Sequence, residues 1–232
     1  MANLAIAITG AFGSLGAETA RAAVRQGAQV ALLGRAAQAP ADLLAELGSS
    51  AVVVPGVELA DAVAAQRAID TASERLKGLD VLINTAGAFR WQEVADGDPA
   101  TWDELFRSNL QSTVNACRAA IPHLRRSPRG RIVNIGAQAA LKAGAGMGAY
   151  TASKSGVHRL TESLAAELKN DGITVNAVLP SIIDTPANRR DMPKADFSTW
   201  VSTAALAGII LFLASGQAQA ITGALIPVTG RT

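Results

Sequence analysis

Tyr150 and Lys154 stand four residues apart in Tyr150-Thr151-Ala152-Ser153-Lys154, inside a helical pattern. Residues at that spacing share one helix face. A free phenol has a pKa near ~10 and is a poor base at neutral pH. An adjacent ammonium favours the phenolate and lowers that value. Such a pair can give a proton to a substrate atom or remove one. A second run that could do chemistry is Thr9-Gly10-Ala11-Phe12-Gly13-Ser14-Leu15-Gly16, between a strand-like segment and a helical one. Glycines there let the backbone turn tightly and approach a pyrophosphate, and the helix N-terminus offers free N–H groups to the anion. Each run alone is unspecific, since many glycine turns are structural and Tyr-x-x-x-Lys arises by chance. Together they point to proton chemistry beside a bound dinucleotide.

Positioning these residues requires a scaffold, and the pattern supplies one. Apolar strand-like runs occur at Asn3–Ile8, Ala28–Leu33, Ala51–Val54, Leu79–Ile83, Arg131–Ile135, Ile173–Val178 and Ala224–Val228. They are short and nearly all apolar, as strands covered on both faces are. Helical patterns at Leu15–Gln26, Ala62–Lys77, Leu110–Leu124 and Tyr150–Lys169 alternate with them. Alternation of this kind predicts an α/β fold, a doubly wound Rossmann-type parallel sheet of about seven strands with helices on both faces. No linker divides the chain, so residues 1–232 are expected to form a single domain. Gly27, Gly78 and Gly172 each follow a helical run, where a terminating glycine belongs. The stretch Pro186 to Pro193 is the expected mobile loop.

Composition narrows the class. Hydrophobic residues make up 49% and charged residues 17% of the chain, enough for a large core. Net charge is +2, with basic residues dispersed, so no stripe suggests nucleic acid. Arg125, Arg126, Arg129 and Arg131 do cluster, which reads as a solvated helix end and the loop before a strand. One cysteine, Cys117, excludes an internal disulfide, and with only His123 and His158 no metal site is expected. No apolar run reaches the ~18 residues of a membrane span. Ala204–Ala214, the longest candidate, reads as a buried helix. A cytoplasmic protein with no membrane association is expected.

In these residues the chain resembles the short-chain dehydrogenases/reductases. Their usual glycine pattern is T-G-x-x-x-G-x-G; here Gly10, Gly13 and Gly16 are present, with Ser14 at the middle glycine's usual place. Asn84-Thr85-Ala86-Gly87 follows their N-N-A-G element, and Tyr150 to Lys154 their Y-x-x-x-K. The resemblance implies a cofactor site made of Gly10, Phe12, Gly13, Ser14, Leu15, Gly16, Asn84, Ala86 and Gly87. Glu58 and Leu59 would lie near the adenine. Lys154 would bind the nicotinamide ribose beside Tyr150. Asn109 matches the family's helix-breaking asparagine, which helps hold a water joining the lysine to solvent. Pro180, Ile183 and Thr185 match the element around the carboxamide, with Ser181 replacing its glycine. Family members that use NAD place an acid after the second strand. Here Gly34 and Arg35 stand there, so nothing repels a 2′-phosphate and a guanidinium can pair with one. NADP(H) is therefore expected ahead of NAD(H), although Arg35 facing solvent is the plain alternative.

One departure bears on the substrate. The family's catalytic serine falls at Ala137, in Asn134-Ile135-Gly136-Ala137-Gln138. That serine donates a hydrogen bond to the carbonyl oxygen being reduced, so either Gln138 substitutes or the substrate needs no such donor. Dihydropteridine reductases also lack the serine and resemble this chain at Gly136–Leu141, Gly146-Met147 and Asp184–Arg189, and further at Met192-Pro193 and Ala195–Trp200. Their substrate is a quinonoid ring, protonated on nitrogen. The expected function is hydride transfer between the nicotinamide cofactor and a small C=N, quinonoid or carbonyl compound, with Tyr150 as acid/base. The alternative is an NADP(H)-binding sensor of little activity. Phe89, Trp91, Met147 and Trp200 could line the substrate pocket or pack in the core. Relatives pair through the helices matching Leu110–Leu124 and Tyr150–Lys169, so a homodimer or homotetramer is expected.

Overall fold

A computed structural model describes residues 1–232. The chain runs β1 (Ala5–Thr9), α1 (Ser14–Arg25), β2 (Gln29–Leu33), α2 (Ala41–Leu47), β3 (Ala51–Val54), α3 (Ala62–Leu76) and β4 (Val81–Asn84). It continues through α4 (Ala100–Leu105), α5 (Ser112–Leu124), β5 (Arg131–Ile135), α6 (Gly148–Leu168) and β6 (Thr174–Pro180). The remaining elements are β7 (Ile183–Asp184), α7 (Pro186–Asp191), β8 (Val201–Ser202), α8 (Thr203–Ala214) and β9 (Leu225–Val228). All seven strands expected from the sequence form one parallel sheet in the order β3-β2-β1-β4-β5-β6-β9. The two-residue strands β7 and β8 pair separately.

Period-two alternation sorts the apolar strand residues between two cores. Ile6, Ile8, Val30, Leu32, Val81 and Ile83 face α1, α2 and α8. Ala7, Ala31, Leu33, Leu82, Ile132 and Val175 face α3, α5 and α6. The strand order reverses direction between β1 and β4, so their C-terminal ends open a crevice. Ligands of open α/β sheets bind at such a point. The glycine run follows β1 there, and Asn84 to Gly87 end β4.

Three local expectations are corrected. Pro186 to Pro193 is not a loop: Pro186 occupies the first turn of α7, and Thr185 Oγ1 caps it by accepting from Asn188 N at 3.2 Å. Proline fits a first helical turn because its missing N–H has no helical partner there. Arg189 fastens this helix by two bonds to Asp184, at 2.6 and 2.8 Å. At the end of α3 the left-handed position falls on Lys77 (φ 60°) rather than on a glycine, and Gly78 follows at φ 143°. Arg131 is not solvated but 7% exposed, and its Nε has no partner. Register explains this: Arg131 opens β5 between Val81 and Thr174, and its Nη1 donates to Gly130 O at 2.7 Å and Gly172 O at 3.5 Å. Trp200, left open between pocket and core, is buried against Phe197 with ring centroids 4.8 Å apart.

The glycines of the first turn differ in what requires them. Gly10 has φ 66°, and a Cβ there would lie 2.7 Å from Ala86 N. A Cβ on Gly16 would lie 2.5 Å from Gly10 O and 2.7 Å from Ala11 Cα. On Gly13 it would meet only Gly10 O, at 3.4 Å. Gly16→Ala is therefore expected to lower Tm by several degrees, from overpacking worth about 1–3 kcal/mol. Gly13→Ala should leave Tm of the cofactor-free protein within a degree or two, and differential scanning fluorimetry separates the two variants.

Candidate active site

The crevice holds two adjoining cavities. The larger, about 880 Å³, is lined by Tyr150, Lys154, Ala137, Gln138, Phe89, Trp91, Met147, Pro180 and Ile183, among others. The smaller, about 540 Å³, is lined by Gly10, Phe12, Gly13, Arg35, Glu58, Leu59 and Ala86 among others. Thr85, Gly87 and Ala88 line both, so the two form one elongated cleft. Leu15 reaches the larger cavity.

Tyr150 and Lys154 lie on consecutive turns of α6, and Phe89 sets its ring edge-on to Tyr150 at 4.9 Å and 82°. Burial pushes the Tyr150 phenol up to about 12 and the Lys154 ammonium down to about 8. This corrects the expectation that the lysine depresses the tyrosine. In the cofactor-free protein Lys154 Nζ donates to Ile135 O at 2.8 Å, and desolvation outweighs any help it gives the phenolate. Tyr150 is thus held in its protonated form in the cofactor-free protein.

Asn109 sits in a π-helical stretch, Phe106–Gln111, between α4 and α5. Such bulges displace helical hydrogen bonds and recur at functional sites. Its Oδ1 accepts from Ala88 N at 2.7 Å, and its Nδ2 donates to Ala88 O at 3.0 Å and Ser153 Oγ at 2.9 Å. The side chain therefore ties the wall shared by both cavities to the residue preceding Lys154. Gly87 must be small here, because a Cβ would lie 2.7 Å from Asn109 Oδ1 and 3.3 Å from Lys154 Nζ.

Not every expected cofactor residue reaches the cleft. Asn84 is 3% exposed and turned inward, donating to Asn134 Oδ1 at 2.9 Å and Cys117 Sγ at 3.3 Å. Ser14 begins α1, Gly16 supports Gly10 from behind, and Thr185 caps α7; none of the three lines either cavity. The Glu58 carboxylate accepts from Ala60 N at 3.0 Å within its own turn. Arg35 makes no hydrogen bond or ion pair and borders the smaller cavity. A Cβ on Gly34 would run into the Phe12 ring, so the two positions interlock. That interlock has no signature in either residue's local sequence.

The donor set fits a dinucleotide: a glycine turn at a helix start, a free guanidinium at one end and a Tyr–Lys pair at the other. The matching family model is that of the short chain dehydrogenases, over residues 4–196. Relatives include a 2-(S)-hydroxypropyl-CoM dehydrogenase of Xanthobacter autotrophicus, 32% identical, with 98% of this chain and 96% of the relative covered. A galactitol 2-dehydrogenase (L-tagatose-forming) of Cereibacter sphaeroides is also 32% identical, with 97% and 92% covered. The solved structure of ElxO with NADP bound superposes with a TM-score of 0.90 at 23% identity, covering 99% of this chain and 98% of that one. The chain belongs to the short-chain dehydrogenase family and is an NAD(P)-dependent oxidoreductase.

The buried ammonium gives a stability prediction with a definite sign. The folded pKa of Lys154, about 8, lies below its ordinary value of 10.5. A cation depressed in this way favours folding above its unfolded pKa. That stability is lost as pH falls from 10.5 to 8, and the cost is full below 8. Lys154→Met removes the cost but leaves Ile135 O without its donor, a loss of roughly 1–3 kcal/mol. The melting temperature of cofactor-free Lys154→Met, relative to wild type, should fall as pH is raised from 7 to 10. Thermal scans at three pH values check this; a mutant Tm that rises relative to wild type as pH is raised would refute it.

Proposed function

We propose that the protein transfers a hydride between NADP(H) and a small C=N, quinonoid or carbonyl compound, with Tyr150 as the proton donor in reduction. The observation that carries the reading is one cleft bordered by Tyr150 and Lys154 at one end and by the glycine turn and Arg35 at the other. Bound there, the nicotinamide supplies the hydride. Arg35, unpaired within the protein, is available to a 2′-phosphate, and Phe12 fills the space a carboxylate at position 34 would need. Pro180, Ile183 and Lys154 line the same cavity as Tyr150, which supports a nicotinamide side there with Lys154 holding the ribose. The apolar side chains of Phe89, Trp91, Met147 and Met192 on the cavity walls suit a substrate with a hydrocarbon or ring body. A relative's name, meso-2,3-butanediol dehydrogenase, favours the carbonyl branch, whereas Ala137 and its dihydropteridine-reductase-like surroundings favour the quinonoid one. Ala137 also supports the alternative of a weakly active NADP(H) sensor; the intact Tyr150, Lys154 and Asn109 support the enzyme. The reading includes a cytoplasmic homodimer or homotetramer.

Two outcomes test it. Tyr150→Phe should lose turnover by at least 10²-fold with NADPH affinity unchanged, because the phenol supplies the proton and the phosphate-binding turn lies elsewhere. A variant retaining most of its rate would exclude this role. Fluorescence titration should show wild type preferring NADPH and Arg35→Ala weakening NADPH by about 1.5–3 kcal/mol more than NADH. Phe12→Ala combined with Gly34→Asp should turn the preference towards NADH. Gly34→Asp alone should chiefly lower Tm. Tighter NADH binding by wild type would overturn the cofactor assignment.

A further inference from the structure

We infer that the Gln138 carboxamide takes over the task of the absent serine, donating a hydrogen bond to the substrate atom that Tyr150 protonates. The inference rests on the hydride-transfer reading above and names the group that completes it. It comes from accounting for the side-chain hydrogen-bond donors around the larger cavity, where Thr232 Oγ1 is bonded to Ser181 Oγ at 2.6 Å and Thr229 O at 2.8 Å. Thr85 Oγ1 is spent on Thr9 O at 2.6 Å, and Trp91 Nε1 on Ala145 O at 3.0 Å. Ser181 Oγ donates to Thr229 O at 2.8 Å, and Asn188 Nδ2 to Ile183 O at 2.8 Å. Lys154 Nζ is held by Ile135 O.

The backbone at the serine's position is closed as well. Ala137 N donates to His158 Nε2 at 3.3 Å, from a ring 2% exposed and lying one turn beyond Lys154 on α6. Burial, reinforced by the charges of Arg159 and Lys154, holds that imidazole neutral, pushed down to about 4. It therefore keeps a lone pair for Ala137 N, and this N–H is not available to a substrate.

Two side-chain donors besides Tyr150 are left without a partner, Gln138 and Lys142. Lys142 is exposed, on a long flexible stem at the rim. Gln138 is partly buried, next in sequence to Ala137, and opens a short 3₁₀ turn held by Leu141 N to Gln138 O at 2.9 Å. Its backbone is thus fixed while its amide is free. In reduction the hydride adds to the substrate carbon and the C=X π pair moves onto X. Tyr150 transfers its proton to X, and a Gln138 N–H hydrogen bond to X stabilises the growing negative charge without being transferred. An amide donor serves X whether it is oxygen or nitrogen, provided X keeps a lone pair.

The test uses the full chain with NADPH and a probe set of 2,3-butanedione, cyclohexane-1,2-dione, p-benzoquinone and a quinonoid dihydropterin. On the best probe, Gln138→Ala should lower kcat by 10²-fold or more, the range for loss of such a donor. NADPH affinity and Tm should stay as in wild type. Adding Ala137→Ser to Gln138→Ala should recover at least tenfold, since a hydroxyl returns to the family position. Gln138→Glu gives a signature that a structural role cannot. Its carboxylate cannot donate, but its acid form can, so its rate relative to wild type should rise as pH falls from 8 to 5. Taking the ratio cancels the titrations of Tyr150, Lys154, Lys142 and His158 common to both. Lys142→Ala should cost less than threefold. Gln138→Ala keeping more than a third of kcat, a flat Gln138→Glu ratio, or a larger loss from Lys142→Ala would each overturn the assignment while leaving the hydride-transfer reading standing. A wild type that turns over no probe with either cofactor would remove both.

Discussion

A buried chain of hydrogen bonds across the C-terminal ends of β1, β4 and β5 sets the geometry on which the cleft depends. Thr9 Oγ1 donates to Asn84 Oδ1 at 3.3 Å, Asn84 Nδ2 to Asn134 Oδ1 at 2.9 Å, and Asn134 Nδ2 to Thr161 Oγ1 at 2.9 Å. The four residues are at most 3% exposed. Polar groups so deep must be paired, since an orphan costs roughly 1–3 kcal/mol. A one-residue slip of any strand would strand several of them at once. Apolar packing alone is tolerant of small sliding; these directional bonds are not. The last link reaches α6 itself, so the height of Tyr150 and Lys154 over the sheet is tied to the strand that precedes the glycine turn.

Burial then tunes the two groups the chain holds there. Lys154 and Tyr150 are displaced in opposite senses, each towards its neutral form, because a low-dielectric site disfavours any charge. The protein accepts a partly uncharged lysine and a fully protonated phenol in the cofactor-free state.

How much of this could be read beforehand depended on whether the cause was local. The seven sheet strands were legible because each is a short apolar run between turn residues. Their boundaries shifted by one or two residues, as at Asn3–Ile8 against Ala5–Thr9. Tyr150 and Lys154 were legible from spacing, since helical periodicity fixes which residues share a face. The direction of Asn84 was not, because it depends on Asn134 and Thr161, which are distant in sequence. The phenol's upward shift was not either: spacing shows that an ammonium is near but not how dry the site is. Arg131 was misread as solvated for a similar reason, its fate being decided by its register against Val81 and Thr174. The helix α7 is a different case, since its capping Thr185 and first-turn Pro186 were both visible as a start signal.

The interlock of Phe12 with Gly34 shows what pairwise packing adds to a motif. Taken singly, Phe12 is a variable member of a glycine turn and Gly34 is a missing acid. In three dimensions they are one feature, because the ring occupies the volume into which any side chain at position 34 would project. Absence of a carboxylate only removes repulsion from a phosphate. A ring in its place also excludes the carboxylate from being regained by one substitution, since overpacking would oppose it. Arg35, one residue further on and free of internal partners, then borders the opening that the ring leaves. A steric exclusion and an unpaired charge thus lie side by side at this end of the cleft.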